Sequence, residues 1–286
     1  MSDGFLNLLK PPGMSSHDVV AVVRKIFALK KVGHGGTLDP AAAGVLPLAL
    51  GRATKFIEYM AATDKEYYAE VLAGVATDSG DLTGEVTERA DDAKLPDRDE
   101  LEKIFQGFVG KIWQRPPLHS AIKIQGRPAY KLAREAKIDR LAPREVEITG
   151  IELLTCNENS FRIKVACSKG TYIRSLVRDV GEKLNLPLTL SFLLRTRVGA
   201  FTAETARTVE ELAAEKENAL LRVGDCLGHL PRLELAANRG QAFRNGLGTT
   251  IRRNVPKICR VFAGDEFLGI GKFEAGTNQL KPAKVF

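Results

Sequence analysis

Cysteine is scarce and scattered in this chain. Cys156, Cys167, Cys226 and Cys259 lie far apart, with no C-x-x-C pair and no histidine at metal-ligand spacing. That spacing excludes a zinc module and points to reduced thiols in a cytoplasmic protein. Long apolar runs are missing as well. The most apolar segment, Ala41 to Leu50, is interrupted by Gly44 and Pro47 and is too short to cross a bilayer. The opening residues carry no basic region followed by an apolar stretch, so neither a signal peptide nor a membrane partner is expected. No internal repeat and no low-complexity tract is found. The glycines near residue 35 are not followed by Gly-Lys-Ser/Thr, which excludes a phosphate-cradling P-loop. The turn Asp78 to Gly84 lacks the spaced ligands and terminal Glu of a calcium loop and reads as structural.

What remains is an ordinary globular composition with a charge bias. The 286 residues are 44% apolar and 27% charged, enough for one large domain, a small one and a sizeable core. Lys and Arg outnumber Asp and Glu by 42 to 35, a formal charge of +7. Such a balance suits an anionic partner, most often nucleic acid, although a merely soluble basic protein fits it equally.

Strand-like and helix-like segments alternate without a regular βαβ rhythm, so the expected class is α+β. Residues 5–9 read as a strand ending at Lys10-Pro11-Pro12-Gly13, and Ser15 or Ser16 can cap a helix running to about Leu29. Residues 66–76 alternate as a strand with Tyr67, Ala69, Val71 and Ala73 on one face. Two more strands are expected near 145–154 and 161–168, then a helix from about Thr171, and another over 203–223. From about His229–Pro231 onward, short apolar stretches broken by Gly and Asn suggest a small β-rich module, residues 230–286, after a larger unit of residues 1–229.

Several segments carry chemistry. In Gly33-His34-Gly35-Gly36-Thr37-Leu38-Asp39-Pro40, three glycines permit a close backbone approach, and the proline forces Asp39 out of the helical region. Asp39 is then either a helix cap or a carboxylate presented to a substrate. His34 is either a satisfied loop histidine or a ring open to water, and no second His or Cys nearby suggests a metal. Arg174 opens a helix after Ser168-Lys169-Gly170-Thr171-Tyr172, where a cation opposes the helix dipole. It therefore either meets an anionic partner or lies solvated. Tyr67 is a core aromatic or a stacking platform for a base. The basic segment with Lys123, Arg127, Lys131, Arg134, Lys137, Arg140 and Arg144 is a solvated face or a phosphate-binding arm.

Taken in order, these segments resemble one family. Lys10-Pro-Pro-Gly-Met-Ser-Ser16, Lys31-Val-Gly-His-Gly-Gly-Thr-Leu-Asp-Pro40, Gly44-Val-Leu-Pro-Leu-Ala-Leu-Gly-Arg-Ala-Thr-Lys55, Lys65-Glu-Tyr67 and Thr77-Asp-Ser-Gly-Asp81 are similar to motifs of the bacterial tRNA pseudouridine synthase B family. So are Ser120-Ala-Ile-Lys-Ile-Gln-Gly-Arg-Pro-Ala-Tyr130 and Cys167-Ser-Lys-Gly-Thr-Tyr-Ile-Arg174. The resemblance covers about residues 5–200 and continues more weakly to the C-terminus. Leu194 departs from the arginine that members commonly carry there.

The resemblance implies isomerisation of uridine-55 in the T loop of tRNA, without metal, organic cofactor or guide RNA. It implies a mixed, mainly antiparallel sheet with flanking helices around a central RNA-binding cleft, and a small PUA-like C-terminal domain. Asp39 would be the catalytic aspartate, Tyr67 the ring stacked on the target base and Arg174 the partner of the aspartate. His34, Gly35, Thr37, Leu38, Tyr172, Leu193 and Arg195 would lie at the RNA or the flipped nucleotide. Lys10, Lys55, Lys123, Arg127, Lys131 and Arg134 would also bind the RNA, with residues 115–144 as an insertion closing over the T arm. The partner would be tRNA alone, bound by a monomer. Paired with Arg174, the Asp39 carboxyl would have its pKa lowered, whereas burial would raise it.

Overall fold

Alternating burial builds the centre of the molecule. The segment Lys65–Ala73 buries every second residue, placing Lys65, Tyr67, Ala69, Val71 and Ala73 on one face, as the sequence pattern predicts. The computed structural model describes residues 2–286 apart from Ala121, Tyr130, Lys131, Ala133, Arg134, Ala136, Lys137, Asp139, Arg253 and Asn254. The expected sites Lys131 and Arg134, and most of the helical pattern over 130–134, lie outside the described residues.

In chain order the strands are β1 (Gly4–Lys10), β2 (Val32–His34), β3 (Ala43–Leu50), β4 (Lys65–Ala73), β5 (Val75–Thr77), β6 (Val86–Arg89), β7 (Gly110–Gln114), β8 (Lys123–Ile124) and β9 (Arg127–Pro128). They continue with β10 (Arg144–Cys156), β11 (Ser160–Cys167), β12 (Leu188–Val198), β13 (Phe201–Thr202), β14 (Arg232–Glu234), β15 (Thr249–Thr250), β16 (Ile258–Ala263), β17 (Glu266–Glu274) and β18 (Gln279–Val285). The larger sheet has nine strands in the order β1-β3-β12-β4-β11-β10-β7, with β2 added to β3 and β13 to β12. Its neighbours are antiparallel except β3 and β12, which run parallel where Leu194 faces Ala43 and Arg195 faces Gly44. The sheet is therefore mixed and mainly antiparallel, in an α+β fold.

That single parallel joint explains two features of the sequence. The most apolar run of the chain is β3, buried on both faces. Val45 and Ala49 pack with Phe5, Phe56 and Phe201 on one side, while Leu46 and Leu48 pack with Leu6, Val19 and Val23 on the other. Gly44 sits at φ +120°, and a Cβ there would fall 2.2 Å from the carbonyl oxygen of Arg195. Only glycine lets the two backbones approach this closely.

The helix Ser16–Ile26 starts at Ser15, which forms a capping box with Asp18. It stops earlier than expected because Ala28 turns to φ +50°. Ser16 is freed for another role. The helices Arg98–Gln106 and Ile173–Leu184 cover the other half of the sheet, where Leu101, Phe105, Leu176 and Val177 join Val71 and Phe161. The single helix expected over 203–223 is not formed. Thr208 caps a short helix, Val209–Glu215, and Lys216 at φ +46° ends it, so the segment breaks into separate turns around β1.

Residues after Leu230 form a five-stranded sheet in the order β14-β16-β17-β18-β15 around Leu233, Phe243, Val261 and Leu280. It docks on the large sheet through aromatic packing of Phe56 against Phe267 and Phe286, at ring distances of 5.4 and 5.8 Å.

Candidate active site

The loop between β2 and β3 is held in place by buried polar groups. Ser16 Oγ accepts from the N–H of Leu38 at 2.9 Å and donates to its carbonyl at 3.1 Å. Lys10 Nζ donates to the carbonyls of Pro11, Met14 and Pro40 at 2.8, 2.7 and 3.2 Å. Arg195 donates from Nε to Val45 O at 2.8 Å, from Nη2 to Gly36 O at 3.0 Å and from Nη1 to Thr37 O at 3.3 Å. Two cations thus fasten the backbone on both sides of Asp39.

These positions bear on the expected RNA contact set. Lys10 is 0% exposed and all three of its ammonium protons are taken by carbonyls, so it supports the loop and does not meet a phosphate. Burial pushes its pKa down to about 8, against the attraction of Asp39. Arg195 is likewise buried and bonded to carbonyls, and it borders the cleft at Asp39. Leu38 packs with Tyr67 and Ala69 and borders the cleft at Asp39. Gly35 packs where a Cβ would strike Met60. Lys55 reaches across to the carbonyl of Val285 at 3.1 Å and so ties the C-terminal sheet to the large one. Lys123, the first residue of β8, is exposed, and Arg127 is paired with Glu135 at 2.5 Å.

Asp39 stands in irregular backbone just before Pro40. Its Oδ2 lies 2.9 Å from Nε of Arg174, a side chain 4% exposed. The same Nε lies 3.8 Å from Oδ2 of Asp81. Nη1 and Nη2 of Arg174 donate to the carbonyls of Ser79 and His119 at 2.7 and 2.8 Å. The arginine at the start of the helix Ile173–Leu184 thus has two carboxylates to offset its unfavourable place. Asp81 was the missed partner. It accepts from Ser79 Oγ at 2.8 Å, from the Thr83 N–H at 3.0 Å and from Thr83 Oγ1 at 2.5 Å. Burial opposes its charge, but these donors and Arg174 prevail and hold its pKa below the usual Asp value. The turn that reads as structural in the sequence is therefore the buttress of the arginine.

For Asp39 the balance goes the other way. Recession into the cleft raises its pKa, Arg174 pulls it down, Asp81 pushes it up, and the rise prevails. The lowering expected from the pairing is thus overturned by burial.

Tyr67 faces Arg195 across β4 and β12. Burial raises its phenol pKa, and the Arg195 guanidinium opposes that rise. Lys65, two residues before it, is buried, donates to the carbonyls of Ala61 and Thr63 and has its pKa pushed down to about 8. Leu193 forms part of the wall. Tyr172 is fixed by Gln114, which accepts from its N–H at 2.8 Å and donates to its carbonyl at 3.1 Å. Arg144 lies over the Tyr172 ring, 4.9 Å from its centroid. His34 is half-buried against His17, with centroids 5.6 Å apart, and burial lowers its pKa. It does not line the cavity formed by the others. That cavity, about 310 Å³, holds Asp39 and Arg174 with Tyr67, Tyr172 and Leu193 around them, a volume in the range of small-ligand sites. Among the described residues no group of three or more His, Cys, Asp or Glu gathers to hold a metal, and no helix is long and apolar enough to cross a membrane.

Solved structures share this architecture. A chain in the structure of an H/ACA RNP bound to a substrate RNA containing 2′-deoxyuridine superposes with a TM-score of 0.78 at 26% identity, covering 100% of this chain and 85% of the other. A chain of a Cbf5-Nop10-Gar1 complex gives 0.75 at 29%, covering 100% and 84%. Residues 24–173 match the TruB family pseudouridylate synthase (N terminal domain), so fold and cleft are those of a pseudouridine synthase. The tRNA pseudouridine synthase B of Alkaliphilus oremlandii is 41% identical over 99% of this chain and 97% of its own length. That of Symbiobacterium thermophilum is 46% identical over 87% of this chain and 84% of its own length. The chain belongs to the TruB family of pseudouridine synthases.

Proposed function

We propose that this chain isomerises uridine-55 in the T loop of tRNA to pseudouridine, with Asp39 as its catalytic carboxylate. One observation carries the assignment of Asp39: it is the carboxylate paired at 2.9 Å with a buried arginine on the wall of a nucleotide-sized cavity. A base stacked inside a folded loop is out of reach, so the uridine flips into the cavity. Asp39 then acts on the ribose, as nucleophile at C1′ or as base at C2′. By either route the bond between N1 and C1′ breaks, the uracil turns, and C5 bonds to C1′; the Asp39–C1′ ester of the first route breaks in that step, and the C2′ proton taken in the second returns from Asp39. C5 gives up its proton and the former N1 gains one. Tyr67 holds the detached ring and assists departure of the C5 proton, directly or through water. No other reactant is required.

In this reading residues 1–229 carry catalysis and residues 230–286 form a small PUA-like module that adds RNA contacts. Residues 115–144 close over the T arm. The chain acts as a monomer on tRNA, with no guide RNA and no obligatory protein partner, in the cytoplasm, where its four free thiols stay reduced. Because the structural neighbours include chains of H/ACA complexes, a guide-dependent enzyme is the alternative.

One assay decides. The purified chain is given an unmodified T-arm transcript with uridine or cytidine at the target position, and tritium released from C5 is counted. Turnover on the uridine transcript alone supports the proposal. Turnover only after a guide RNA and partner proteins are added favours the alternative. Asp39→Asn should bind the transcript within a few-fold of the parent yet release no tritium.

A further inference from the structure

Ser120 has no role in the mechanism above, yet its placement is unusual. It is 4% exposed, and its Oγ is buried with no hydrogen-bond partner among the described residues. It lines the same cavity as Asp39, Tyr67 and Arg174. Buried hydroxyls are ordinarily satisfied, because an unmade hydrogen bond costs stability. A hydroxyl that carries one donor and two acceptor positions, left unpaired in a binding cavity, is poised for whatever enters it.

Its position is also fixed from the catalytic side. The preceding carbonyl, that of His119, accepts from Nη2 of Arg174. The Ser120 N–H donates to the carbonyl of Leu118 at 2.8 Å. Further back, the carbonyl of Arg115 accepts from Ser175 Oγ at 2.8 Å and from Arg178 at 3.2 Å. The start of the 115–144 segment is thus pinned to the first turns of the helix that supplies Arg174. The arginine that orients Asp39 also orients Ser120.

We propose that Ser120 is a substrate ligand whose Oγ hydrogen-bonds an oxygen of the flipped uridine, on the uracil edge or at the ribose 2′-hydroxyl. This inference rests on the uridine isomerisation proposed above. Such a bond exists only when the nucleotide is in the cavity, so it separates from a structural role.

The test uses Ser120→Ala and Ser120→Thr in the full chain. Turnover is measured on T-arm RNA, and affinity in an Asp39→Asn background, where no turnover intervenes. Ser120→Ala should lose about five- to tenfold in kcat/KM and a similar factor in affinity for RNA carrying the uridine. With a 2′-deoxy abasic site at that position, which lacks both candidate oxygens, its affinity should match the parent within twofold. Ser120→Thr should recover most of the loss, and the thermal midpoint of Ser120→Ala should stay within a degree or two. A 2′-deoxyuridine substrate identifies the oxygen: a persisting penalty assigns the uracil edge, a vanishing one the 2′-hydroxyl. Equal loss on uridine and 2′-deoxy abasic RNA, or no loss on either, overturns the inference. If the parent chain itself forms no pseudouridine, it is the proposed function that fails; if the parent turns over and Ser120→Ala equals it, only the role of Ser120 falls.

Discussion

Arg174 and Asp39 meet at 2.9 Å, but the arginine holds far more than the aspartate. Its guanidinium also engages Asp81 and the carbonyls of Ser79 and His119. Four separate segments, at residues 39, 79–81, 119 and 174, are thereby fixed by one buried side chain. A lysine would bring the charge without the planar fork of donors that this arrangement uses. Removing one partner of a buried charge set ordinarily costs about 3–5 kcal/mol, so the site and the local fold rest on the same group.

The first prediction concerns pH. In the proposed mechanism Asp39 works ionised, and its pKa lies above the ordinary Asp value because burial outweighs Arg174. Activity should therefore be present above that raised pKa and lost as pH falls through it. The acid limb of kcat/KM should sit above the ordinary Asp value of about 3.9. In Arg174→Gln the charge that pulls the pKa down is gone, and the limb should move up by about 1–3 pH units. A limb that stays in place in that variant, measured on its folded fraction, would show that Arg174 does not act on the Asp39 charge.

A second prediction separates the ring of Tyr67 from its hydroxyl. The ring is buried in the core with Leu38 and Ala69, and the phenol is held by Arg195. Tyr67→Phe keeps the stacking surface and deletes the hydroxyl. RNA affinity should stay within a few-fold of the parent, while tritium release from C5 should slow by about 10²-fold or more if the hydroxyl takes part in proton transfer. Equal loss of affinity and turnover would leave Tyr67 a structural residue.

How much of this was legible in the sequence depends on which physical signal each residue leaves. Strand β4 was read from its alternation, because one face is buried and period two records that. The glycine-rich loop and the arginine at a helix start left Asp39 and Arg174 open; the resemblance singled them out, and the fold brings them to 2.9 Å. Asp81 was missed because a carboxylate in a turn looks the same whether it caps the turn or faces an arginine almost a hundred residues on. The hydrogen bonds of Lys10 and Arg195 were hidden for a similar reason. A lysine or arginine in a basic chain is expected at the surface, and only the fold shows that carbonyls of the loop surround them. The broken 203–223 segment follows from a left-handed Lys216 that no local pattern announces.

Gly44 gives a third prediction, on the parallel joint of β3 and β12. In Gly44→Ala the new Cβ meets backbone atoms of Arg195 on the neighbouring strand at 2.2 to 2.9 Å, at a φ that L residues rarely adopt. Backbone cannot yield as a flexible side chain can. The strands must part, and Arg195 then releases the carbonyls of Gly36 and Thr37 beside Asp39. A loss of about 3 kcal/mol or more in stability is expected, with poor soluble yield. Chemical denaturation checks it, and a variant within 1 kcal/mol of the parent would mean that the joint is not as tight as drawn.

The last prediction is the salt response, which tests the basic face apart from the chemistry. Each phosphate neutralised by Lys or Arg releases a counterion, so the logarithm of affinity falls linearly with the logarithm of salt. With about six phosphate contacts, tRNA affinity should fall about 10³-fold between roughly 50 and 200 mM salt. Lys123 is exposed and has no acidic partner among the described ion pairs, whereas Arg127 is already paired with Glu135. Lys123→Ala should therefore lower the slope by about one contact. Arg127→Ala should change it less, because the free protein already neutralises that charge. Filter binding of a T-arm transcript over a salt series measures both slopes. If Arg127→Ala flattens the response more than Lys123→Ala, the arginine exchanges Glu135 for phosphate on binding, and the ion pair is a latch opened by RNA.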